Sequence, residues 1–182
     1  MTDSFRVEST QSLLHSHVFD VERRHILHHD LKFDRDVVTH RGAVAILAIN
    51  QAGEVGVLRQ FRAPFERYTL EIPAGTRDRA DESALVTAQR ELLEELGCHA
   101  TRWRLLGHFM NSPGWTNQVM TIFEARDLTL NTRRPQGPEE TASSVHWMSA
   151  SALREALRRE EAIDSTTAVA LLNVFGDFFD VD

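Results

Sequence analysis

The amino-acid sequence predicts a mixed α/β (α+β) fold, built as one domain with a small N-terminal extension. Short β-prone segments follow one another through most of the chain, whereas helical patterns occur at its centre and near its end. The 182 residues suffice to bury a substantial core, and the chain contains no internal repeat and no linker long enough to divide it.

The N-terminal extension, residues 1–40, alternates short apolar stretches with polar groups and predicts two or three β-strands. Five of the six histidines in this region lie between residues 15 and 29: His15, His17, His25, His28 and His29. Because no cysteine or carboxylate pattern accompanies them at ligand spacing, we interpret them as exposed strand residues rather than as a metal site. Residues 41–182 form the predicted main domain.

The first strands of the main domain surround a continuous apolar segment. Residues 42–50 (GAVAILAIN) suit a strand that is buried on both faces. A turn at residues 51–53 leads into residues 54–62, which we predict to return as the hairpin partner of that strand. After a loop, residues 69–73 predict a short strand that leads towards the central helix.

After the central helix the pattern returns to strands. Residues 103–112 and 117–128 predict two strands around a loop that contains Pro113. Residues 129–143 are polar and include proline and glycine, which indicates a mobile loop. Residues 144–148 predict one more strand.

Two helices are predicted near the C-terminal end. Ser149 or Ser151 caps the first, which continues to about Arg159. Ser165 or Thr166 starts the second, which is predominantly apolar. Strands that alternate with few helices support the mixed α/β assignment.

Composition argues against several classes of protein. The formal net charge is −7 and basic residues adjoin only as arginine pairs, so a nucleic-acid-binding surface is not expected. The single cysteine permits no internal disulfide bond. The N-terminus lacks the basic and apolar regions of a signal peptide, and the longest apolar run, residues 43–49, is too short to span a bilayer. We therefore expect a cytoplasmic protein without membrane association.

The most informative segment is residues 71–98, whose second half predicts an amphipathic helix. Its apolar positions recur at helical spacing and should face a core: Leu85, Ala88, Leu92 and Leu96. Glu91, Glu94 and Glu95 fall at i, i+3 and i+4 and crowd the opposite side. Clustered carboxylates are oxygen ligands for a hard cation such as Mg2+ or Mn2+, although the same pattern also occurs as a solvated acidic face.

The whole segment resembles the Nudix box, in which a glycine and a glutamate precede R-E-U-x-E-E-x-G-U, where U is apolar. Nine positions match it in order: Gly75, Glu82, Arg90, Glu91, Leu92, Glu94, Glu95, Gly97 and Cys98. Six residues separate Gly75 from Glu82 where the family usually has five, but an extra residue in this loop costs little. The resemblance implies a Nudix α/β/α sandwich with an N-terminal β-strand subdomain, which hydrolyses a nucleoside diphosphate linked to another group.

Further segments resemble the ADP-ribose pyrophosphatase branch of this superfamily. Residues 42–64 and 70–75 are similar to it, and Pro113 lies 16 residues beyond Gly97, as in that branch. Two features depart from the branch: residues 116–118 stand where acidic residues are usual, and the strand before the box lacks the usual tryptophan. The resemblance implies Mg2+-dependent cleavage of ADP-ribose to AMP and ribose 5-phosphate.

The resemblance also implies a set of metal ligands. Glu91 and Glu95 would be the main ligands, and Glu94 would complete the cluster directly or through water. The carbonyl group of Ala74 would be a backbone ligand, presented by a turn that Gly75 allows.

Other motif residues receive structural or catalytic roles from the resemblance. Arg90 and Glu82 would form a charge pair between loop and helix, with a metal role for Glu82 as the alternative. Gly97 would be structural. A flexible loop would supply the general base, and the spacing from the following strand favours Glu140 over Glu139.

Substrate contacts are also implied. Arg62 would bind phosphate or ribose, since guanidinium matches phosphate geometry, and Glu71 would accept hydrogen bonds from ribose hydroxyls. Pro113 belongs to the corresponding substrate loop. The branch forms domain-swapped homodimers in which N-terminal residues of one subunit hold the adenine of the other. Phe19, by stacking, and Arg35 fall at these places, although Phe19 fits an ordinary core aromatic equally well.

Three alternative functions remain open. A hydrolase of another nucleoside diphosphate sugar, such as GDP-mannose, would use the same catalytic residues with a different base pocket. A module that binds ADP-ribose-like ligands without turnover is disfavoured, because it would not need all three glutamates of the box. Hydrolysis of oxidised nucleoside triphosphates fits the surrounding segments less well.

Overall fold

The computed structural model describes residues 4–159 and 163–176. Ten strands occur within them: β1 (Arg6–His15), β2 (Asp20–His28), β3 (Leu31–Thr39), β4 (Ala43–Ala48), β5 (Val55–Arg62), β6 (Arg67–Glu71), β7 (Ala74–Thr76), β8 (Cys98–Met110), β9 (Val119–Leu130) and β10 (Ser144–Met148). The helices are α1 (Ala84–Glu91), which continues as a π-helical turn (Leu92–Leu96), α2 (Gly137–Ala142), α3 (Ala150–Arg158) and α4 (Ser165–Phe175). The predicted mixed α/β class is confirmed. No helix in the described ranges is long and apolar enough to cross a membrane.

The chain forms two compact units. The N-terminal unit takes in the described residues up to Gly42 together with residues 110–119, and the main unit takes in the remainder. The predicted division between residues 40 and 41 lies close to the end of the first segment. The return of residues 110–119 to the N-terminal unit is not predicted from the sequence.

The N-terminal unit contains one antiparallel sheet in the order β1-β2-β3, so three strands form where two or three were predicted. The loop after β8 attaches to β3, because Val38 N–H donates to the Trp115 carbonyl at 2.8 Å. None of the residues in these three strands is buried. Several large apolar side chains in and beside the sheet are exposed: Phe5, Val7, Leu13, Leu14 and Leu31.

The five histidines between residues 15 and 29 are only partly as predicted. Three are exposed, whereas His25 and His28 are half-buried. His25 Nδ1 lies 2.7 Å from Asp34 Oδ1, and the His28 ring stacks on Phe5 with 4.0 Å between ring centroids. Contacts with neighbouring side chains therefore account for the partial burial of His25 and His28, which were predicted to be exposed.

The main unit is built on two sheets, ordered β7-β4-β9-β8 and β10-β5-β6. Strand β4 runs parallel to β9 and antiparallel to β7, with Val44 opposite Thr121 on one side and Gly75 on the other. Val44 and Ile46 pack in the core cluster that contains α1, and Leu47 packs in the cluster that contains α3 and α4. The predicted burial of β4 on both faces is confirmed, with helices on either side of the sheet.

The predicted hairpin between β4 and β5 is wrong. Strand β5 pairs with β6 and β10 in the second sheet, and an isolated bridge between Ile49 and Val55 marks the turn between β4 and β5. Both edges of β4 are occupied by β7 and β9. The turn at residues 50–53 therefore passes the chain to the other sheet.

Two later elements also differ from prediction. Strand β8 begins at Cys98, several residues before the predicted start at residue 103. Residues 137–142, predicted within a loop, form helix α2, with Pro138 in its first turn. Proline is favourable there because its missing N–H would have no partner within the helix.

The C-terminal helices begin as predicted. Helix α3 follows Ser149, whose hydroxyl accepts a hydrogen bond from the Ala152 N–H at 3.1 Å. Helix α4 begins at Ser165, and its cap is the preceding Asp164, whose carboxylate accepts from two N–H groups of the first turn.

Candidate active site

Helix α1 carries the predicted carboxylate cluster. The Ser83 hydroxyl caps it by accepting from the Val86 N–H at 3.3 Å. Three of the four predicted apolar positions are buried in the core cluster that contains β4: Ala88, Leu92 and Leu96. Leu85 was predicted to be buried but is 36% exposed, since the first turn of the helix faces solvent.

The end of the helix widens into the π-helical turn and stops at Gly97. This residue takes the left-handed conformation, with φ of 66°, and its N–H donates to the Leu93 carbonyl at 3.0 Å. A residue with a side chain is strained in this conformation, whereas glycine is not. Gly97 therefore ends the helix, in line with its structural role in the motif.

Glu91 and Glu95 do not lie on a solvated face, because they are only 6% and 3% exposed. Glu94 is half-buried. Glu95 Oε2 accepts a hydrogen bond from the Ala74 N–H of β7 at 2.8 Å. For Glu91 and Glu95 the alternative of a solvated acidic face is wrong, because strand β7 covers that side of the helix.

Gly75 makes room for one of these carboxylates. A Cβ atom at this position would lie 2.1 Å from both Cδ and Oε1 of Glu91. Gly75 lies within β7, opposite Val44, rather than in a turn. The predicted reason for this glycine is therefore wrong, since it is needed for space and not for a turn.

Arg90 lies among four acidic groups. Its Nη1 is 2.8 Å from Glu91 Oε1 and 2.9 Å from Glu94 Oε2. Its Nε is 3.3 Å from Glu82 Oε2, and its Nη2 is 3.3 Å from Asp78 Oδ1. The predicted contact with Glu82 is present, but it belongs to a larger network. This network includes Asp78, which was not predicted from the sequence.

The electrostatic environment raises the proton affinity of the buried carboxyls. The pKa of Glu91 rises to about 7, chiefly because of burial, with Arg90 opposing the rise and the charges of Glu94 and Glu140 adding to it. Burial also raises the pKa of Glu95 well above its usual range, against a backbone hydrogen bond that lowers it. Burial and the neighbouring carboxylates therefore disfavour the ionised forms of Glu91 and Glu95, and a bound cation would offset that cost.

Helix α2 brings one of the two predicted bases towards this charge. Glu140 is half-buried, and its carboxylate accepts from the Gln136 N–H at 2.5 Å. Its charge acts on both Glu91 and Glu95. Glu139 is exposed. Of the two glutamates, only Glu140 therefore acts electrostatically on the buried carboxyl groups, and its role as the base stays a prediction.

Arg62 and Glu71, predicted as separate substrate contacts, bind each other. Arg62 Nε donates to Glu71 Oε1 at 2.8 Å, and Nη2 binds the other carboxylate oxygen. Thr69 Oγ1 donates to the same carboxylate at 2.5 Å. The pKa of Arg62 is raised chiefly by Glu71, with Asp164 contributing. Asp164 was not predicted from the sequence, although its position directly before helix α4 is typical of a helix cap.

Three predicted substrate contacts lie in the N-terminal unit. Phe19 is 39% exposed, so it is not a core residue of its own chain. The Arg35 guanidinium lies 4.6 Å above the Phe33 ring, and its Nη1 donates to the Asp34 carbonyl at 2.7 Å. Pro113 is exposed. Their roles in substrate binding stay predictions.

The donor set of the main unit fits a hard divalent cation. Within the described ranges, no three His, Cys, Asp or Glu side chains are already grouped to hold a metal ion. The box carboxylates instead contact Arg90 and the Ala74 N–H. However, Glu91 and Glu95 are buried oxygen donors whose charges repel each other, and Gly75 leaves the space that one of them fills. Such donors are the ligands that Mg2+ and Mn2+ prefer.

Comparisons with known proteins agree with this arrangement. The family model described as the NUDIX domain matches residues 39–169. The chain is 33% identical over 137 residues to an ADP-ribose pyrophosphatase of Bacillus subtilis (strain 168), covering 75% of this chain and 74% of that protein. It is 32% identical over 140 residues to an ADP-ribose pyrophosphatase of Mycobacterium tuberculosis (strain ATCC 25618 / H37Rv), covering 77% and 68%. A crystal structure of an ADP compounds hydrolase matches with a TM-score of 0.79, covering 94% and 92% of the two chains at 22% identity, which shows a common fold.

Proposed function

The chain belongs to the Nudix hydrolase family, and from this membership we propose that it hydrolyses the pyrophosphate bond of ADP-ribose to AMP and ribose 5-phosphate. The substrate is inferred from the two relatives that bear the name ADP-ribose pyrophosphatase. The observation that carries the chemistry is the buried pair Glu91 and Glu95, with the charge of Glu140 acting on both. This concentration of carboxylates suits a cation that binds the two phosphates of a substrate.

Nudix hydrolases generally need a divalent metal ion. In this chain Glu91 and Glu95 would hold the ion, with Glu94 as a ligand directly or through water and the Ala74 carbonyl as a backbone ligand. When bound, such an ion offsets charge on phosphate oxygens and lowers the pKa of water. We expect Mg2+, with Mn2+ as the alternative, because both prefer carboxylate oxygens.

Arg90 holds the acidic groups in place. Its contact with Glu91 opposes the rise in the pKa of that carboxyl group, its contact with Glu94 is a second ion pair on the helix, and its contact with Glu82 connects the preceding loop to the helix. Because the guanidinium group is planar and carries five N–H donors, it can bind several carboxylates at once. We assign Arg90 and Glu82 to the architecture of the site rather than to the reaction.

Glu140 is our candidate for the general base. A general base must lie within hydrogen-bond reach of the water that it deprotonates, directly or through a second water. Glu140 is the member of the α2 pair whose charge reaches Glu91 and Glu95. Glu139, which is exposed, remains the alternative.

Arg62 is our candidate for binding a phosphate or a ribose. Glu71 is buried, and its oxygens already accept from Arg62 and Thr69. We therefore assign Glu71 first to orienting the Arg62 guanidinium, with a contact to ribose hydroxyls as a second role. The half-buried Arg62 keeps further N–H donors for a ligand.

We also propose a homodimer, domain-swapped so that Phe19 and Arg35 of one subunit contact the adenine of the other, with Pro113 in the substrate loop. The exposed apolar side chains of the N-terminal unit support an interface there, because a small sheet without a buried face has little stability by itself. Light scattering after size exclusion should give twice the chain mass. A monomer at the concentration of the activity assay would contradict the dimer, and with it the roles of Phe19 and Arg35.

The function is tested by incubating the purified protein with Mg2+ and a panel of substrates: ADP-ribose, GDP-mannose, ADP-glucose and oxidised dGTP. Chromatography would resolve the products, and Glu95→Gln would run beside the unchanged protein. Glu155→Gln is a matched control, since it removes one carboxylate from an exposed position on α3. We expect AMP to appear fastest from ADP-ribose, in the unchanged protein and the control but not in Glu95→Gln.

Each other outcome has a defined meaning. Faster turnover of GDP-mannose or ADP-glucose would keep the chemistry and overturn the choice of substrate. Turnover that survives Glu95→Gln would overturn the role of the buried carboxylates. Binding of ADP-ribose without turnover of any substrate would overturn the enzymatic function in favour of a binding module.

A further inference from the structure

The segment after β9 docks on the C-terminal end of helix α1. The Asn131 N–H donates to the Gly97 carbonyl at 2.6 Å, and the Arg134 N–H donates to the Glu94 carbonyl at 3.0 Å. Both acceptors lie at a helix end, where carbonyl groups lack partners within the helix. The segment that leads to Glu140 is therefore bonded to the helix that carries the box carboxylates.

Gly97 makes this close docking possible. A Cβ atom at Gly97 would lie 2.7 Å from the Asn131 carbonyl oxygen and 2.8 Å from the Arg133 backbone nitrogen. Backbone atoms cannot move aside as the end of a flexible side chain can. Any side chain at Gly97 would therefore push residues 131–133 away from the helix, in addition to being strained at a φ of 66°.

The Arg133 side chain connects this docked segment to helix α2. Its Nη1 donates to the Ser143 carbonyl at 3.3 Å, and its Nη2 donates to the Glu140 carbonyl at 3.3 Å and to Ser143 Oγ at 2.9 Å. The Ser143 hydroxyl in turn donates to the Glu140 carbonyl at 2.7 Å. Carbonyl groups at the end of a helix lack intrahelical partners, and a positive charge there is favourable. One guanidinium group thus joins the docked segment to the backbone of the candidate base.

These hydrogen bonds from outside the helix are important because α2 is short. A helix of six residues is not stable through its own hydrogen bonds, so its position depends on contacts from outside. The Glu140 carboxylate adds one more hydrogen bond by accepting from the Gln136 N–H. The backbone carbonyl of Glu140 accepts hydrogen bonds from Arg133 and from the Ser143 hydroxyl, so these two side chains restrain the position of its backbone.

We propose that Arg133 is a positioning residue for the general base: it fixes α2 on the end of α1 and so directs the Glu140 carboxylate towards Glu91 and Glu95. The inference rests on the proposed function, in which Glu140 removes a proton from water. Misplacing a catalytic group by about 1 Å lowers a rate by roughly 100-fold, so a modest shift of α2 has a large kinetic effect.

Two measurements test the proposal, and the first does not require activity. Hydrogen–deuterium exchange of peptides that cover residues 134–143 would be compared among the unchanged protein, Arg133→Met and Arg133→Lys. Arg159→Met is the control, because it removes an exposed arginine of the same unit. We expect faster exchange at residues 137–143 in Arg133→Met, a smaller increase in Arg133→Lys, and no change in the control. Unchanged exchange in Arg133→Met would overturn the proposal that Arg133 holds α2 in place.

The second measurement is a double-mutant cycle with Glu140→Gln, using initial rates of AMP release. Arg133→Met alone is expected to lower kcat by roughly 10- to 100-fold, with KM and the Mg2+ requirement within about twofold of the unchanged protein. In the Glu140→Gln background the same change should lower kcat by less than about twofold, because there is no base left to misplace. A merely structural role would instead give losses that multiply.

The outcomes separate this inference from the proposed function. Losses that multiply in the double variant would overturn the positioning role. Full kcat in Glu140→Gln would likewise overturn it, together with the assignment of the base. Absence of turnover in the unchanged protein would overturn the proposed function, and the exchange data would then decide by themselves whether Arg133 holds α2.

Discussion

In the metal-free protein, Glu91→Gln should remove a pH dependence of folding stability. The carboxyl group of Glu91 is buried, and its pKa is about 7 in the folded protein against an ordinary value of 4.5. Between these values the folded state binds more protons than the unfolded state. The free energy of unfolding therefore falls as the pH rises from about 4.5 to about 7 and remains at the lower value above that.

The magnitude follows from the pKa. At about 1.4 kcal/mol for each tenfold change in proton affinity, ionised Glu91 lowers the stability above pH 7 by about 3 kcal/mol. The attraction between Glu91 and Arg90 is already contained in this pKa. We therefore expect Glu91→Gln to remove about 3 kcal/mol of the pH dependence and to be the more stable protein near pH 8. Glu95, whose pKa is raised in the same direction, remains in both proteins.

Urea unfolding of both proteins in EDTA, from about pH 5 to about pH 8, measures the difference through tryptophan fluorescence. Glu155→Gln, which removes an exposed carboxylate, should follow the unchanged protein at every pH. Adding Mg2+ near pH 8 should then stabilise the unchanged protein more than Glu91→Gln, because only the former keeps the full ligand set. Stability curves that run parallel for the unchanged protein and Glu91→Gln would refute the burial argument.

Three further substitutions test the site. Gly75→Ala places a methyl group on the Glu91 carboxylate, and should destabilise the protein by about 1–3 kcal/mol in urea unfolding and abolish AMP release; a stable, fully active variant would show that the site has room. Glu140→Gln should lower kcat by roughly 100-fold or more, whereas Glu139→Gln should stay within about twofold; equal losses in steady-state kinetics would contradict the assignment. Arg62→Lys should raise KM for ADP-ribose by roughly tenfold, since an ammonium group lacks the planar set of donors; an unchanged KM would remove Arg62 from the substrate site.

Helix α1 shows which features of the site are local. The position of the helix can be predicted from residues that are neighbours in the sequence, and the motif indicates the chemistry of its three glutamates. Burial is different, because the helical pattern defines which side chains share a face but not what lies opposite that face. The sequence pattern places Glu91 and Glu95 on the face opposite the apolar stripe. In the structure, strand β7 covers both side chains.

Strands β4 and β5 make the same point for the sheets. Their apolar patterns predicted two strands joined by a turn, and both strands formed. Their pairing was predicted wrongly, because the edges of β4 are taken by β7 and β9, which come later in the chain. A local pattern does not indicate which distant strand will compete for an edge.

By itself, the sequence determined the mixed α/β class, most strand and helix positions, the Nudix resemblance and the carboxylates of the box. These features depend on periodicity and on spacing between near neighbours, both of which can be read along the chain. Only the tertiary structure decided that Gly75 makes room for Glu91, that Arg90 contacts four acidic groups, and that Arg133 connects the end of α1 to Glu140. Such contacts join separate segments, and their distances and burial arise only when those segments pack together.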